Sequence, residues 1–416
     1  MLNEIEVDVA VIGGGPAGLA AAISAKENGA EKVLLIERGS RLGGILNQCI
    51  HDGFGLVLFN KSLTGPEYAE IFIEKLLKLK IDYMLNSMVL ELTPSKKLYV
   101  ANRNGYHLVK AKAVVLAMGC RERTRGAIKI AGSRPSGVYT AGLAQNFINL
   151  QNLMIGRTAV ILGSGDVGLI MARRLTLEGV KIQAVVEIMP FPYGLRRNVV
   201  QCLEDYNIPL HLSHTVTEIL GRSRVEAVKI AKVDENLKPI PGTEKIIQCD
   251  TVLLSVGLIP ENELSRQAGV EIDPKTQGPV VNSMLQTSIK GIFACGNVLH
   301  VNDLVDYVTV EAQKAGMWAA KYALNELPEP DRKEIEITLG ENVRTVVPQK
   351  IVPGLDTSLF FRVYKPGKNK TLNIIVDGKN IIQKKCPSIT PSEMLKADLK
   401  GEYTLNAEKI HVEVCE

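Results

Sequence analysis

The residues best suited to chemistry in this chain are two glycine-rich turns, each followed at a fixed distance by an acid. The first, Gly13-Gly14-Gly15-Pro16-Ala17-Gly18, follows the apolar run Val7 to Ile12. It leads through an Ala-rich helical stretch to Val33–Ile36 and Glu37. Gly13 permits the tight turn, Gly15 lets the backbone approach a pyrophosphate, and Gly18 lets helix and strand pack closely. The helix N-terminus faces the phosphate charge. Glu37, 19 residues after Gly18, is placed to accept hydrogen bonds from a ribose diol. The same order returns 150 residues later. Thr158–Leu162 leads into Gly163-Ser164-Gly165-Asp166-Val167-Gly168, a helix, Ile182 to Val186 and then Glu187, again 19 residues after the third glycine. One such turn is weak evidence. Two with flanking strands and an equally spaced acid predict two dinucleotide sites.

These turns need parallel strands to hold them. Val7 to Ile12 is nearly all apolar, as a strand buried on both faces must be. Ala113 to Gly119 and Thr251 to Gly257 are further apolar strands ending in a small residue and a glycine. Gly119 and Gly257 would each bring the backbone close to the nucleotide of their own domain. A late strand, Gly291 to Asn297, precedes a helical stretch from about Val308 to Leu324. The simplest topology is α/β, with one Rossmann-like domain (1–150 and 275–328) interrupted by a second (155–270). After Leu327-Pro328-Glu329-Pro330 the pattern changes. Leu359 to Tyr364 and Leu372 to Val376 read as strands, with Asp377-Gly378 as a hairpin turn before Ile381-Ile382 and Ile410 to Val414 as a last strand. Residues 335–416 are expected to form a small β-rich domain for docking, oligomerisation or covering a cofactor edge.

Composition excludes several classes. The 416 residues are 46% hydrophobic and 23% charged, which rules out collagen-like and disordered chains. A net charge of +4 from 49 basic and 45 acidic residues, well mixed, does not suit a nucleic-acid partner. No apolar stretch reaches the roughly 18–20 uncharged residues of a membrane helix. Met1 runs through Asn3, Glu4 and Glu6 straight into an apolar strand, so no signal peptide is expected. The seven cysteines are scattered, the closest pair 29 residues apart, against a disulfide scaffold, zinc cluster or C-x-x-C centre. No metal site is expected, and the location expected is cytoplasmic.

The paired turns, with Gly43-Gly44 shortly after Glu37 and the late GIFACGN segment, resemble the two-dinucleotide-binding flavoprotein reductases that include thioredoxin and glutathione reductases. GGILNQCIHDGFGL (43–56), AMGCRERTRG (117–126), GSRPSGVYTAGLAQ (132–145) and LLSVGLIPENEL (253–264) narrow the likeness. They resemble the FAD/NAD-dependent subunits found beside glycerol-3-phosphate dehydrogenase-like flavoproteins and in opine, hydrogen-cyanide-forming and amino-acid dehydrogenases. The resemblance implies FAD in the outer domain and NAD(H) in the inserted one. FAD would meet Gly13, Gly15, Pro16, Ala17 and Gly18 at the pyrophosphate, Glu37 at the ribose, Arg38 beside the adenine, and Gly44 and Gly119 along the dinucleotide. Gly296-Asn297 stands where the superfamily usually has Gly-Asp; Asn keeps an acceptor oxygen but removes a charge. Val308 and Thr309 would aim a positive helix end at the flavin. NAD(H) would meet Gly163, Gly165, Asp166, Val167, Gly168, Glu187 and Gly257.

Glu187 disfavours a 2′-phosphate and so favours NADH, while Arg196 and Arg197 could restore phosphate binding or simply be solvated. Hydride transfer between nicotinamide and flavin needs no protein acid or base, only stacked rings and excluded water. Cys49 and His51 lie where disulfide reductases of the superfamily carry their redox cysteines, and they are the candidate catalytic pair. A dithiol relay needs a second cysteine, so Cys49 is either a packed thiol or one that cycles through sulfenic acid. His51 is a proton donor or a structural hydrogen-bonder. Cys120, beside Arg121 and Arg123, and Cys295 are expected to pack. Asp303 and Asp306 are expected as solvated loop acids. The resemblance implies an FAD-dependent NADH:acceptor oxidoreductase, oligomeric and paired with a second flavoprotein or an iron–sulfur subunit. The alternatives are a peroxide-forming NADH oxidase and a redox-sensing binding protein.

Overall fold

The computed structural model describes residues 3–328 and 332–415; Met1, Glu329 and Pro330, named above, lie outside them. The chain divides into two units, Met1–Cys120 with Pro260–Glu416, and Arg121–Ile259.

In the first unit the strands are β1 (Asn3–Ile12), β2 (Val33–Ile36), β3 (Asp82–Met84), β4 (Met88–Leu92), β5 (Lys97–Asn102) and β6 (Gly105–Leu116), lying in the order β3-β2-β1-β6-β5-β4. β1 runs parallel to both neighbours, with Val11 opposite Leu35 and Val115. Val9, Ala10 and Val11 are fully buried, which is why the run is apolar at every position rather than at alternate ones. Helix α1 (Pro16–Glu27) follows the first glycine turn, and α2 (Gly65–Lys78) starts from a Thr64–Glu67 capping box.

The second unit carries β7 (Val138–Thr140), β8 (Thr158–Leu162), β9 (Lys181–Val186), β10 (Leu210–His211) and β11 (Thr251–Leu254), all parallel in the order β10-β9-β8-β11-β7. Helices α3 (Ala141–Gln151), α4 (Asp166–Leu177) and α5 (Arg196–Cys202) belong to the same unit. An antiparallel ladder of His214–Leu220, Ala227–Lys232 and Lys245–Gln248 packs Val216, Ile219, Val228 and Ile230 against Val160, Leu162, Ala184 and Val186. Residues 121–150, expected in the first domain, thus differ in place. β7 pairs with β11, Leu253 opposite Tyr139, and α3 follows directly. Three residues of strand with a partner more than a hundred positions away leave no local signal.

The first unit resumes at Pro260, earlier than the expected 275. Buried Asn262 explains this by donating to the carbonyls of Gln277 and Val298. β12 (Ile292–Ala294) then lies parallel to the end of β6, and α6 (Val305–Ala323) packs on α1. A Cβ at Gly316 would sit 2.1 Å from the Ala21 carbonyl oxygen, so small residues set that helix spacing. The C-terminal segment is β-rich, with β13 (Thr357–Val363), β14 (Gly367–Val376) and β15 (Lys379–Ile389) among its strands. Asp377 and Gly378 both have positive φ, +46° and +78°, the geometry of a type I′ hairpin turn. Leu359, Phe361, Leu372, Ile374 and Val412 form its core. No helix among the described residues is long and apolar enough to cross a membrane.

Candidate functional site: two glycine turns and their acids

The two turns match bond for bond. Gly13 N–H donates to Ile36 O at 2.8 Å, and Gly163 N–H to Val186 O at 2.7 Å. Gly43 N–H reaches Gly14 O at 2.8 Å, and Gly194 N–H reaches Ser164 O at 2.8 Å. Both first glycines have positive φ, +108° and +92°. A Cβ on either would lie within 2.4 Å of a carbonyl oxygen on the next strand's exit, Ala117 at one and Ser255 at the other. Only glycine satisfies the turn and the close approach together.

Each acid ties its turn to the end of its strand. Glu37 accepts from the N–H groups of Gly14 (2.6 Å) and Gly39 (2.5 Å). Glu187 accepts from the N–H groups of Ser164 (2.8 Å) and Met189 (2.9 Å), and also from the Ser164 hydroxyl at 2.6 Å. A carboxylate has about four acceptor positions. Glu37, half-buried, keeps two of them open; Glu187, 4% exposed, keeps one.

The first turn fits an anionic dinucleotide such as FAD. α1 begins at Pro16 with no acid in its first turn and no side-chain cap, so its N–H groups face outward. A Cβ at Gly15 would meet nothing nearer than the Gly44 Cα at 3.9 Å, and one at Gly119 nothing within 4 Å, leaving room for a ligand to approach. A Cβ at Gly296 would touch Ala17 at 2.8 Å and Val308 at 3.3 Å, so the late segment and the start of α6 converge on α1. Arg38 is exposed beside Glu37. Asn297 accepts from Asn302 N–H at 3.0 Å and donates to the Cys120 sulfur at 3.5 Å, shaping its own loop. Thr309 is fully buried, its hydroxyl 2.7 Å from that of Tyr68.

In the second unit, Asp166 is engaged by Leu195 N–H (2.8 Å) and the Asn198 amide (2.6 Å), which fold the 193–198 segment onto the turn. Gly165 and Val167 are half-buried and Gly257 exposed, while Gly168 packs on Ser255, whose hydroxyl accepts its N–H at 3.1 Å. Arg196 pairs with Glu204 at 2.7 Å on an open face, and Arg197 is exposed.

Cys49 ends a single 3-10 turn, Gly44–Gln48, and its carbonyl takes the Gly65 N–H at 2.8 Å. Burial pushes its thiol up to about 12, so the thiol stays protonated at neutral pH. The His51 ring lies 5.1 Å from Phe54. Cys295 is fully buried, and no cluster able to hold a metal occurs among the described residues. Asp303 and Asp306 differ from the solvated acids expected. The Asp303 side chain is 14% exposed in an ion pair with Arg362, and Asp306 is 2% exposed. Their partners come from distant segments, out of reach of a reading by spacing. Ser164 and Tyr68 were likewise missed; only Ser164 had a local signal, its place inside the turn.

Residues 7–319 match the pyridine nucleotide-disulphide oxidoreductase family. The chain is 28% identical over 287 residues to hydrogen cyanide synthase subunit HcnB of Pseudomonas protegens, covering 63% of this chain and 58% of that protein. It is 26% identical over 312 residues to an opine oxidase subunit of Agrobacterium tumefaciens, covering 70% and 61%. The match thus spans less than two thirds of the length of either relative. The fold is similar to that of T. acidophilum thioredoxin reductase, with a TM-score of 0.62 and 23% identity over 77% of this chain and 99% of that one. With both glycine turns inside the matched region, the chain belongs to the pyridine nucleotide-disulphide oxidoreductase family of FAD-dependent NAD(P)H oxidoreductases.

Proposed function

We propose that the chain is an NADH-oxidising flavoprotein that hands electrons to a partner redox protein. FAD is placed at the first turn and NADH at the second. The observation that carries this reading is the pair of matched turns, one per unit, each with its acid already held by backbone N–H groups. Bound FAD supplies the two-electron acceptance of a hydride from the nicotinamide. The chain's part is to fix each ribose and pyrophosphate, present the α6 N-terminus and exclude water.

The raised thiol of Cys49, with no second cysteine within 29 residues of it in the sequence, speaks against a dithiol relay within one chain, so electrons leave by another route. Two relatives are subunits by name, which supports a partner protein as acceptor. Preference for NADH is supported by the buried Glu187 carboxylate, which would repel a 2′-phosphate, and by the engagement of Arg196 with Glu204.

Anaerobic titration of the purified protein tests this. NADH is expected to bleach the flavin absorbance rapidly and NADPH slowly, with slow reoxidation in air and fast reoxidation by an artificial electron acceptor. Fast oxygen consumption without an acceptor would make the protein a peroxide-forming oxidase instead. A protein that takes up no flavin overturns the reading.

A further inference from the structure

The C-terminal segment lies beyond the family match, which ends at residue 319, and the thioredoxin reductase fold is covered by 77% of this chain. Its strand β13 has two distinct faces. Leu359, Phe361 and Val363 are fully buried in the segment's own core. The alternate residues Ser358, Phe360 and Arg362 are half-buried and point the other way. Each of the three contacts α6 or the loop before it. Ser358 accepts from the Lys314 ammonium at 3.1 Å. The Phe360 ring lies 5.9 Å from that of His300 and 6.0 Å from that of Tyr307. Arg362 donates to Val301 O at 2.9 Å and to the Asp303 carboxylate, while its other nitrogen donates to Pro391 O (3.2 Å) and Ser392 O (2.7 Å). The second Asp303 oxygen takes the Met394 N–H at 2.6 Å.

The same loop is fastened from inside. Glu311 of α6 accepts from Gly296 N–H at 2.5 Å and pairs with His300 at 2.7 Å, both side chains buried. Residues 296–304 therefore run between two anchors. One is within the dinucleotide unit, and the other is supplied by β13.

We propose that the C-terminal domain is a clamp on the flavin-facing loop and that Arg362 is its positioning residue. Through Asp303 and Val301 it fixes the loop that sets Gly296, Asn297 and the first turn of α6. This rests on the placement of FAD at the first glycine turn. Loss of either partner of a pair this well enclosed is costly, because the remaining charge is left buried and unpaired. A domain that merely added stability would not need to align three alternate residues of one strand along this loop and helix.

The test measures release of FAD from the holoprotein, by the rise in free-flavin fluorescence, together with the flavin midpoint potential. Arg362→Ala and Asp303→Asn are compared with wild type, Arg362→Lys, and Val376→Ala as a control. Val376 is a core residue of β14, 5% exposed, outside the clamp. Arg362→Ala and Asp303→Asn are expected to release FAD about tenfold faster or more, the effect of losing about 1.4 kcal/mol of binding. Both should lower the potential as the helix end moves off the flavin. Arg362→Lys keeps the charge and should fall between. Val376→Ala should lower the melting temperature and leave release unchanged. If Arg362→Ala does not fold, Asp303→Asn, nearly isosteric, carries the comparison. Wild-type release rates in both variants, or equal acceleration by Val376→Ala, overturn the clamp. A wild-type protein that takes up no FAD overturns the flavin reading itself, and the clamp with it.

Discussion

Ser164 donates both its backbone N–H and its hydroxyl to one oxygen of Glu187, at 2.8 and 2.6 Å, with both residues buried. The first turn has only a backbone donor there, from Gly14 to Glu37. The Ser164 hydroxyl also accepts from Tyr193 N–H at 2.8 Å, so it joins the turn, the acid and the following loop. Replacing Ser164 by Ala leaves Tyr193 N–H without its acceptor and Glu187 with one donor fewer. Losing such buried bonds costs about 1–3 kcal/mol. Ser164→Ala is expected to destabilise the second unit by that amount in urea unfolding and to raise KM for NADH. The absorbance of bound FAD should not change.

The pairing of Arg196 with Glu204 yields a prediction about coenzyme choice. Both side chains are largely exposed, and such pairs are worth at most about 1 kcal/mol. If Arg196 were a phosphate ligand, Arg196→Ala would cut activity with NADPH selectively. The expectation is instead an unchanged NADH-to-NADPH ratio of kcat/KM.

Cys49 gives a pH prediction. Its folded-state pKa, pushed by burial to about 12, lies above the ordinary value of 9.0. Below pH 9 the thiol is protonated in both the folded and the unfolded chain, and its contribution is intact. Between about 9 and 12 only the unfolded chain loses the proton, so stability falls as pH rises. The slope is at most about 1.4 kcal/mol per pH unit for one group. Cys202 and Cys249, raised by burial to about 11, act in the same direction. Cys49→Ser should flatten this alkaline loss in denaturant unfolding and leave NADH-driven flavin reduction intact. Loss of that reduction would restore a redox role for the thiol.

What was legible in the sequence was local in the chain. Gly13, Gly18 and Glu37 sit within 25 residues, and a tight turn, a close helix–strand approach and a strand-end acid each demand a particular residue type. Asp377-Gly378 was legible for the same reason, since few dipeptides adopt two positive φ values in a row. Asp303 was misread because its charge suggests water, whereas its partner Arg362 lies 59 positions on, in β13. The place of Val138–Thr140 was hidden because its strand is short and its pairing wholly tertiary. Motif and turn chemistry travel with the sequence; long-range pairing of charges and of short strands does not.

The buried trio of Asp306, Tyr68 and Thr309 supplies the last prediction. Asp306 lies in the first turn of α6. One of its oxygens has no hydrogen-bond partner among the described residues, and the other is 3.4 Å from Val57 N–H. Burial raises the Tyr68 pKa and the nearby charge of Asp306 raises it further, against the lowering effect of the Thr309 hydroxyl. A buried carboxylate with an orphaned oxygen costs stability that a neutral isostere does not. Asp306→Asn is therefore expected to raise the unfolding free energy by about 1 kcal/mol. It should also bring the Tyr68 phenol down toward the ordinary tyrosine range, read as phenolate absorbance appearing at lower pH. With FAD at the first glycine turn as proposed above, removing a negative charge from the start of α6 should make the flavin easier to reduce. The midpoint potential should rise by roughly 30 mV, which for two electrons corresponds to about 1.4 kcal/mol. An unchanged potential with a lowered Tyr68 pKa would separate the trio from the flavin and leave Asp306 a purely structural charge.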